Sequence, residues 1–224
     1  MKILSLVLSI GLLLGATRAA AAEGPTADYK INDEYTTKSP DGATTVEQYL
    51  GIDKDGNYHW QFWARRSDSM TLLGPEQQDY SADFRFTRDS RYLVRLQKIG
   101  SGEGTLFLYK LGPKGFVAAT SKPFGDLAWA YFYSRPESRK IIKPEFHVNV
   151  DLLKGIDDNY QWTGQKWPEG RYLLVTLSGA AEPKGKHRQV ETVDGWQCRY
   201  DLETGKFDVP AIFRDNNAEA LEPE

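Results

Sequence analysis

The feature that most constrains this chain is a two-residue alternation of apolar and polar side chains, cut repeatedly by turn-forming clusters. It is clearest in residues 84–111, FRFTRDSRYLVRLQKIGSGEGTLFLYKL. Phe84 and Phe86 share one face, and Arg88-Asp89-Ser90 breaks the run. Tyr92, Val94 and Leu96 then oppose Leu93, Arg95 and Gln97. Beyond a glycine cluster at residues 100–104, Phe107, Tyr109 and Leu111 oppose Leu106, Leu108 and Lys110. A period of two places successive side chains on opposite faces of a strand. The stretch therefore predicts three antiparallel strands of a meander. A phosphate-cradling loop needs a helix after its glycines. Residues 105–111 alternate as a strand instead, so the cluster is read as a hairpin.

Similar signatures lie on either side. Ser39-Pro40-Asp41-Gly42 is a strong turn signal, because Pro presets φ and Gly accepts positive φ. Val46, Gln48 and Leu50 alternate after it. Asp53-Lys54-Asp55-Gly56-Asn57 reads as a hairpin turn. An EF-hand reading fails at its sixth position, Tyr58 in place of Gly, and at its twelfth, Ala64 in place of Glu. Tyr58, Trp60 and Phe62 share one strand face, with His59, Gln61 and Trp63 on the other. Residues 65–80 read as a loop. Strands are expected over residues 146–152, 171–177 and 196–202, with 190–193 a further strand or loop edge. A hairpin turn at 203–206 leads into 207–209. Residues 124–134 fit a helical face through Phe124, Leu127, Ala128 and Tyr131. They fit a strand face equally through Leu127, Trp129, Tyr131 and Tyr133. A short helix capped by Asp126 is the preferred reading.

The first 22 residues read as a secretory signal peptide. Lys2 gives a positive start, residues 3–14 are apolar, and Ala20-Ala21-Ala22 supplies a small-residue cleavage site. The apolar run is shorter than the roughly 20 residues needed to span a bilayer, and no later segment is apolar enough to cross one. The expectation is an exported protein, periplasmic or secreted. Its single domain is read over residues 23–210, with an acidic, flexible tail over 211–224. The formal net charge is −3 at pH 7, and loss of Lys2 and Arg18 with the leader makes it two units more negative. Such a balance gives no electrostatic footprint for nucleic acid. Cys198 is the only cysteine, so an internal disulfide is excluded and stability must come from packing.

An internal repeat is visible by eye. Ser39-Pro40-Asp41-Gly42, Thr87-Arg88-Asp89-Ser90 and Trp167-Pro168-Glu169-Gly170 each precede an apolar run. Their last residues, 42, 90 and 170, are separated by 48 and then 80 positions, and a fourth, eroded unit near residue 130 would fit a period in the forties. These units, with the ending Tyr200-Asp201-Leu202-Glu203-Thr204-Gly205-Lys206-Phe207, resemble the β-propeller repeats of the TolB type and the wider WD-repeat-like group. In such repeats the Ser-Pro-Asp-Gly turn is structural. The resemblance implies a small or incomplete propeller of about four blades, and it carries over no functional residue. The residues themselves establish the coarser expectation of an all-β fold built from antiparallel meanders. A β-sandwich or a distorted barrel with one short helix is the alternative.

Catalytic signatures are sparse. No G-x-S-x-G or H-E-x-x-H occurs, and His59, His147 and His187 have no paired spacing. Cys198 reads as a small apolar core residue and His147 as a surface residue. Asp83, Asp126, Glu145, Asp151, Asp157 and Asp158 are carboxylates of the kind a glycosidase needs, with none singled out. A solvated loop is the reading for Lys184, Lys186, His187 and Arg188. The tryptophans read mainly as core, and Trp60, Trp63, Arg65 and Trp162 form a tentative binding surface. No cofactor or metal is expected. The preferred function is non-enzymatic binding of a protein, peptide, glycan or envelope component. The alternative is a hydrolase acting on a glycan or peptide through carboxylates in a central cleft.

Overall fold

A computed structural model describes residues 24–153, 171–185 and 187–221. The fold is all-β in character, with two short helices and two sheets, neither of which closes on itself among the described residues. The first sheet comprises β1 (Lys30–Ile31), β2 (Thr37–Lys38), β3 (Thr44–Ile52), β4 (Tyr58–Arg66), β5 (Ser69–Leu72) and β6 (Gln77–Gln78). The second comprises β7 (Ala82–Phe86), β8 (Tyr92–Gly100), β9 (Glu103–Gly112), β10 (Gly115–Ala118), β11 (Phe146–Leu152), β12 (Tyr172–Ala181), β13 (Val190–Asp201) and β14 (Lys206–Asp208). Between β10 and β11 the chain forms α1 (Phe124–Ser134), and after β14 it forms α2 (Arg214–Glu219).

The pairings resolve into three four-stranded antiparallel meanders, β2-β3-β4-β5, β7-β8-β9-β10 and β11-β12-β13-β14. The first two share a register. Thr37 faces Val46 as Arg85 faces Val94, and Thr44 faces Arg66 as Tyr92 faces Lys110. The turns that open them bond identically. Ser39 Oγ accepts from Thr44 N at 2.9 Å and donates to Asp41 Oδ1 at 2.5 Å. Thr87 Oγ1 accepts from Tyr92 N at 3.0 Å and donates to Asp89 Oδ1 at 2.6 Å. Gly42 and Ser90, the matching fourth residues, have φ of +69° and +59°. Asp41 N donates to Ser90 Oγ at 3.1 Å, so the two turns also touch. The third copy, at residues 167–170, lies outside the described residues.

The second and third meanders join edge to edge through one parallel bridge, Asn149 to Gly104. The first meander packs on the second face to face. Val46, Phe62, Ala64 and Leu73 meet Phe84, Phe86, Leu93 and Phe116 in one core, with Phe62 and Phe84 ring centroids 5.7 Å apart. The other face of the large sheet is covered by α1. Phe124, Ala128 and Phe132, spaced four apart, are fully buried against Val94, Leu106, Val175 and Trp196. Helix is the outcome of the ambiguous 124–134 pattern because this sheet offers one broad apolar face. The competing strand face would have to bury Tyr133, which stays 36% exposed. Pro123 occupies the N-cap without a side-chain bond, and Asp126 sits in the first turn rather than capping.

Several expectations are corrected. The region near residue 130 is α1, not a fourth β-unit, so the described chain holds three units in place of about four. Residues 65–80 are not all loop. They include β5 and β6, short edge strands: Ser69–Leu72 alternates polar and apolar residues over only four positions, and Gln77–Gln78 is two polar residues, too little of a period to read against the surrounding turn residues. Residues 190–193 and 196–201 belong to one strand, β13, kept continuous across register shifts near Gly179. The tail is not free over residues 211–221. Phe213 and Ala220 are buried, and the Asn217 amide bonds both Gln197 N (2.7 Å) and Gln197 O (2.8 Å).

Candidate functional site

Trp60 and Trp63 are an odd number of residues apart on β4, so a strand sends them to opposite faces. Trp60 faces the second sheet and is 8% exposed. Trp63 lies on the outer face and is 2% exposed. Arg65 shares the outer face with Trp63 but is committed to a bidentate pair with Glu47, Nε to Oε1 at 2.7 Å and Nη2 to Oε2 at 3.0 Å. Burial pushes the Glu47 carboxyl up, and the bonds from Arg65 and Tyr49 outweigh it, holding the group below the usual carboxylate range. Trp162 lies outside the described residues. The tentative surface is therefore not one surface: its two described tryptophans are separated by the sheet.

Trp60 instead forms part of the wall of a cleft of about 760 Å³ where the two sheets and the β9–β11 seam converge. The 3-10 turn at Asp33–Tyr35 brings in Tyr35, whose exposed ring stands edge-on to Trp60 at 5.8 Å and 89°. Tyr80 lies under Lys98, with the ammonium 4.8 Å from its ring centre. Asp83, Glu103, Asn149 and Asp151 contribute carboxylates and an amide. The Gln97 amide pins the 80–81 segment by donating to Tyr80 O (3.4 Å) and Ser81 O (3.3 Å). Two backbone features shape the rim. Asp79 has φ +66° and is spanned by a Tyr80 N to Gln78 O bond of 2.8 Å, a strained three-residue turn. On β11 the register slips between Phe146 and Asn149, where His147 has φ +52°. Bulges of this sort re-aim side chains beside functional sites.

Of the carboxylates singled out as a class from the sequence, Asp83 and Asp151 reach this cleft. Asp126 is on α1, Glu145 precedes β11, and Asp157 and Asp158 lie outside the described residues. Tyr35, Tyr80, Glu103 and Asn149 had no sequence signal, since each sits in a different segment and only the folded sheets bring them together.

A second polar cluster lies on the outer face of the first sheet. His59 is held between two carboxylates, Nε2 to Asp53 Oδ2 at 3.1 Å and Nδ1 to Glu76 Oε1 at 3.0 Å. The bond to Asp53 and the charge of Glu76 raise its pKa above the ordinary imidazole value, against a smaller opposing effect of desolvation. Asp53 also accepts from Asn57 Nδ2 (2.9 Å), Asn57 N (2.9 Å) and Asp55 N (2.8 Å). Its carboxylate closes the hairpin turn. Tyr29 of the N-terminal arm donates to Glu76, and burial, with that bond, pushes its phenol up to about 12. The cluster clasps arm, hairpin and loop together. Cys198 is fully buried, and desolvation pushes its thiol far up, so it is an inert core side chain. His147 is exposed at the surface.

No protein-family model matches the chain, and neither a curated protein nor a solved structure is significantly similar to it.

Proposed function

We propose that this protein is an exported, non-enzymatic binding module, periplasmic or secreted, that holds a peptide or glycan segment of an envelope component in the cleft between its sheets. The observation that carries this reading is the Tyr35–Trp60 pair beside Tyr80, on a cleft whose remaining walls are amides and carboxylates. Aromatic faces with a few convergent polar groups are the usual make-up of a ligand site. The volume suits a short polymer segment better than a whole protein surface. The leader-like residues 1–22 support export.

The test uses a panel of soluble cell-wall muropeptides and extended peptides, scored by calorimetry. Tyr35→Ala and Tyr80→Ala remove rings that are not part of the buried cores. Binding of a panel member is expected to weaken on the order of 10-fold or more in either variant, as stacking contacts of about 1–3 kcal/mol would require. Ligand binding that is indifferent to both changes would sink the cleft assignment. Fractionation of cells, with N-terminal sequencing of the mature protein, tests export separately. A mature chain beginning at Glu23 outside the cytoplasm is the expected result.

The alternative hydrolase reading draws on Asp83, Glu103 and Asp151 sharing the cleft. It predicts turnover of a bound glycan or peptide that falls by orders of magnitude in Asp83→Asn or Glu103→Gln while binding persists.

For the fold, we propose that the meanders are degenerate propeller-type units. Support comes from the matching bonds and register of the first two, each opening on the turn seen in the sequence. Face-to-face packing of two sheets supports the sandwich as the description of how such units are now assembled.

A further inference from the structure

A cavity larger than the cleft lies elsewhere. A groove of about 1060 Å³ runs between the segment after α1, the start of β13 and the C-terminal α2. Its walls include Ile141, Val190, Val209, Ala218 and Leu221, and among the described residues no aromatic ring lines it. Its polar lining groups are mostly spoken for. The Asn217 amide is bonded to the Gln197 backbone, Thr192 Oγ1 donates to Gly179 O at 3.4 Å, and Glu137 pairs with Arg135 at 3.0 Å. Two charges are left over. Lys140 and Arg214 both line the groove, both are exposed, and among the described residues neither is paired with a carboxylate. An aliphatic trough with spent hydrogen-bonding groups and two spare cations does not suit a hydroxyl-rich ligand, which would find few free polar partners and no stacking face. It suits an apolar body with a negative head.

The geometry points to this groove as a binding site for a free single-chain acyl carboxylate, a fatty-acid anion, with its chain along Ile141, Val190 and Leu221 and its head between Lys140 and Arg214. The volume of about 1060 Å³ lies just above the roughly 300–1,000 Å³ typical of small-ligand sites, and flexible aliphatic walls accommodate a flexible chain. The site is separate from the cleft of the proposed function and stands or falls without it.

The experiment is calorimetric titration of the purified protein with dodecanoate below its micelle concentration, with dodecan-1-ol as the uncharged counterpart. Saturable one-to-one binding of dodecanoate is expected, with dodecan-1-ol weaker. The double variant Lys140→Glu with Arg214→Glu should weaken dodecanoate binding about 10-fold, as reversal of two exposed charges would produce. Ala218→Trp, at an exposed position on α2, should block it by filling the groove, while Tyr35→Ala in the cleft leaves it unchanged. Absence of saturable binding overturns the proposal. So does binding that survives both groove variants, equal affinity for the alcohol, or adsorption to phosphatidylglycerol vesicles without dodecanoate binding. Because the charge variant alters only exposed side chains, it decides the matter even if Ala218→Trp fails to fold.

Discussion

Ser39 and Thr87 do the same job at equivalent places. Each is buried, each accepts the N–H that starts the following strand, and each is steadied by the aspartate two residues on. Substitution by alanine would leave Thr44 N or Tyr92 N without its side-chain acceptor. Ser39→Ala and Thr87→Ala are therefore expected to lower stability by similar amounts, about 1–3 kcal/mol each, read as a shift in urea midpoint. Markedly unequal losses would argue that the two turns are alike only in outline. The pair also shows why the motif tolerates erosion. Gly42 takes positive φ freely, whereas Ser90 holds φ +59° and uses its hydroxyl to accept from Asp41 N. A contact between the units compensates for the strain that a non-glycine residue brings.

At the scale of elements, α1 lies very close to the sheet at its first turn. A Cβ on Gly125 would collide with Thr105 Oγ1 and stand 3.3 Å from Leu106 N. Alanine is favoured over glycine inside a helix by about 1 kcal/mol, so propensity alone predicts that Gly125→Ala stabilises. The packing predicts the reverse, a lower melting temperature, because β9 backbone cannot move aside cheaply. The His59 clasp gives a second element-scale expectation. A raised imidazole pKa means its contribution is complete below the ordinary value of about 6.5 and is lost as pH rises through the folded value. The melting temperature of the parent protein should exceed that of His59→Gln in mildly acidic solution, and the gap should narrow as pH rises. An NMR titration of His59 that gives an ordinary or lowered pKa would remove the basis for this.

Across the whole molecule, Arg95 is the residue whose setting was least legible beforehand. It alternates with Val94 and Leu96 as a solvent-facing strand residue would, yet it is fully buried between the two sheets. Its Nη1 donates to Leu73 O and Pro75 O, both at 3.0 Å, and its Nε to Gln97 Oε1 at 2.8 Å. The guanidinium carbon lies 3.9 Å from the Phe62 ring centre. Desolvation pulls its pKa down to about 10. Arg95→Ala should cost at least about 3 kcal/mol, combining a cavity with orphaned carbonyls. Arg95→Met, which keeps the volume and removes the buried charge, should cost less, and chemical denaturation of both variants tests the ordering. What the sequence made readable were the meanders and their turns, because period and turn chemistry are local properties. The packing of one sheet on another is not local, and neither is a cleft that gathers Tyr35, Tyr80, Glu103 and Asn149 from four segments. A polar residue on a strand gives no sign of whether its face meets water or a second sheet.

The bridge between Gly104 and Asn149 also has a consequence in time. Each meander can zip up from its own hairpins, whereas this pairing must wait for the intervening chain, α1 included, to be looped back. Pairings between distant segments form slowly because closure entropy is lost before contacts compensate for it. The topology thus predicts that this seam forms later than the hairpins within each meander. Gly104 and Asn149 are both walls of the cleft, so the cleft is complete only once this seam has formed, and a ligand held there would favour chains in which the two meanders are joined.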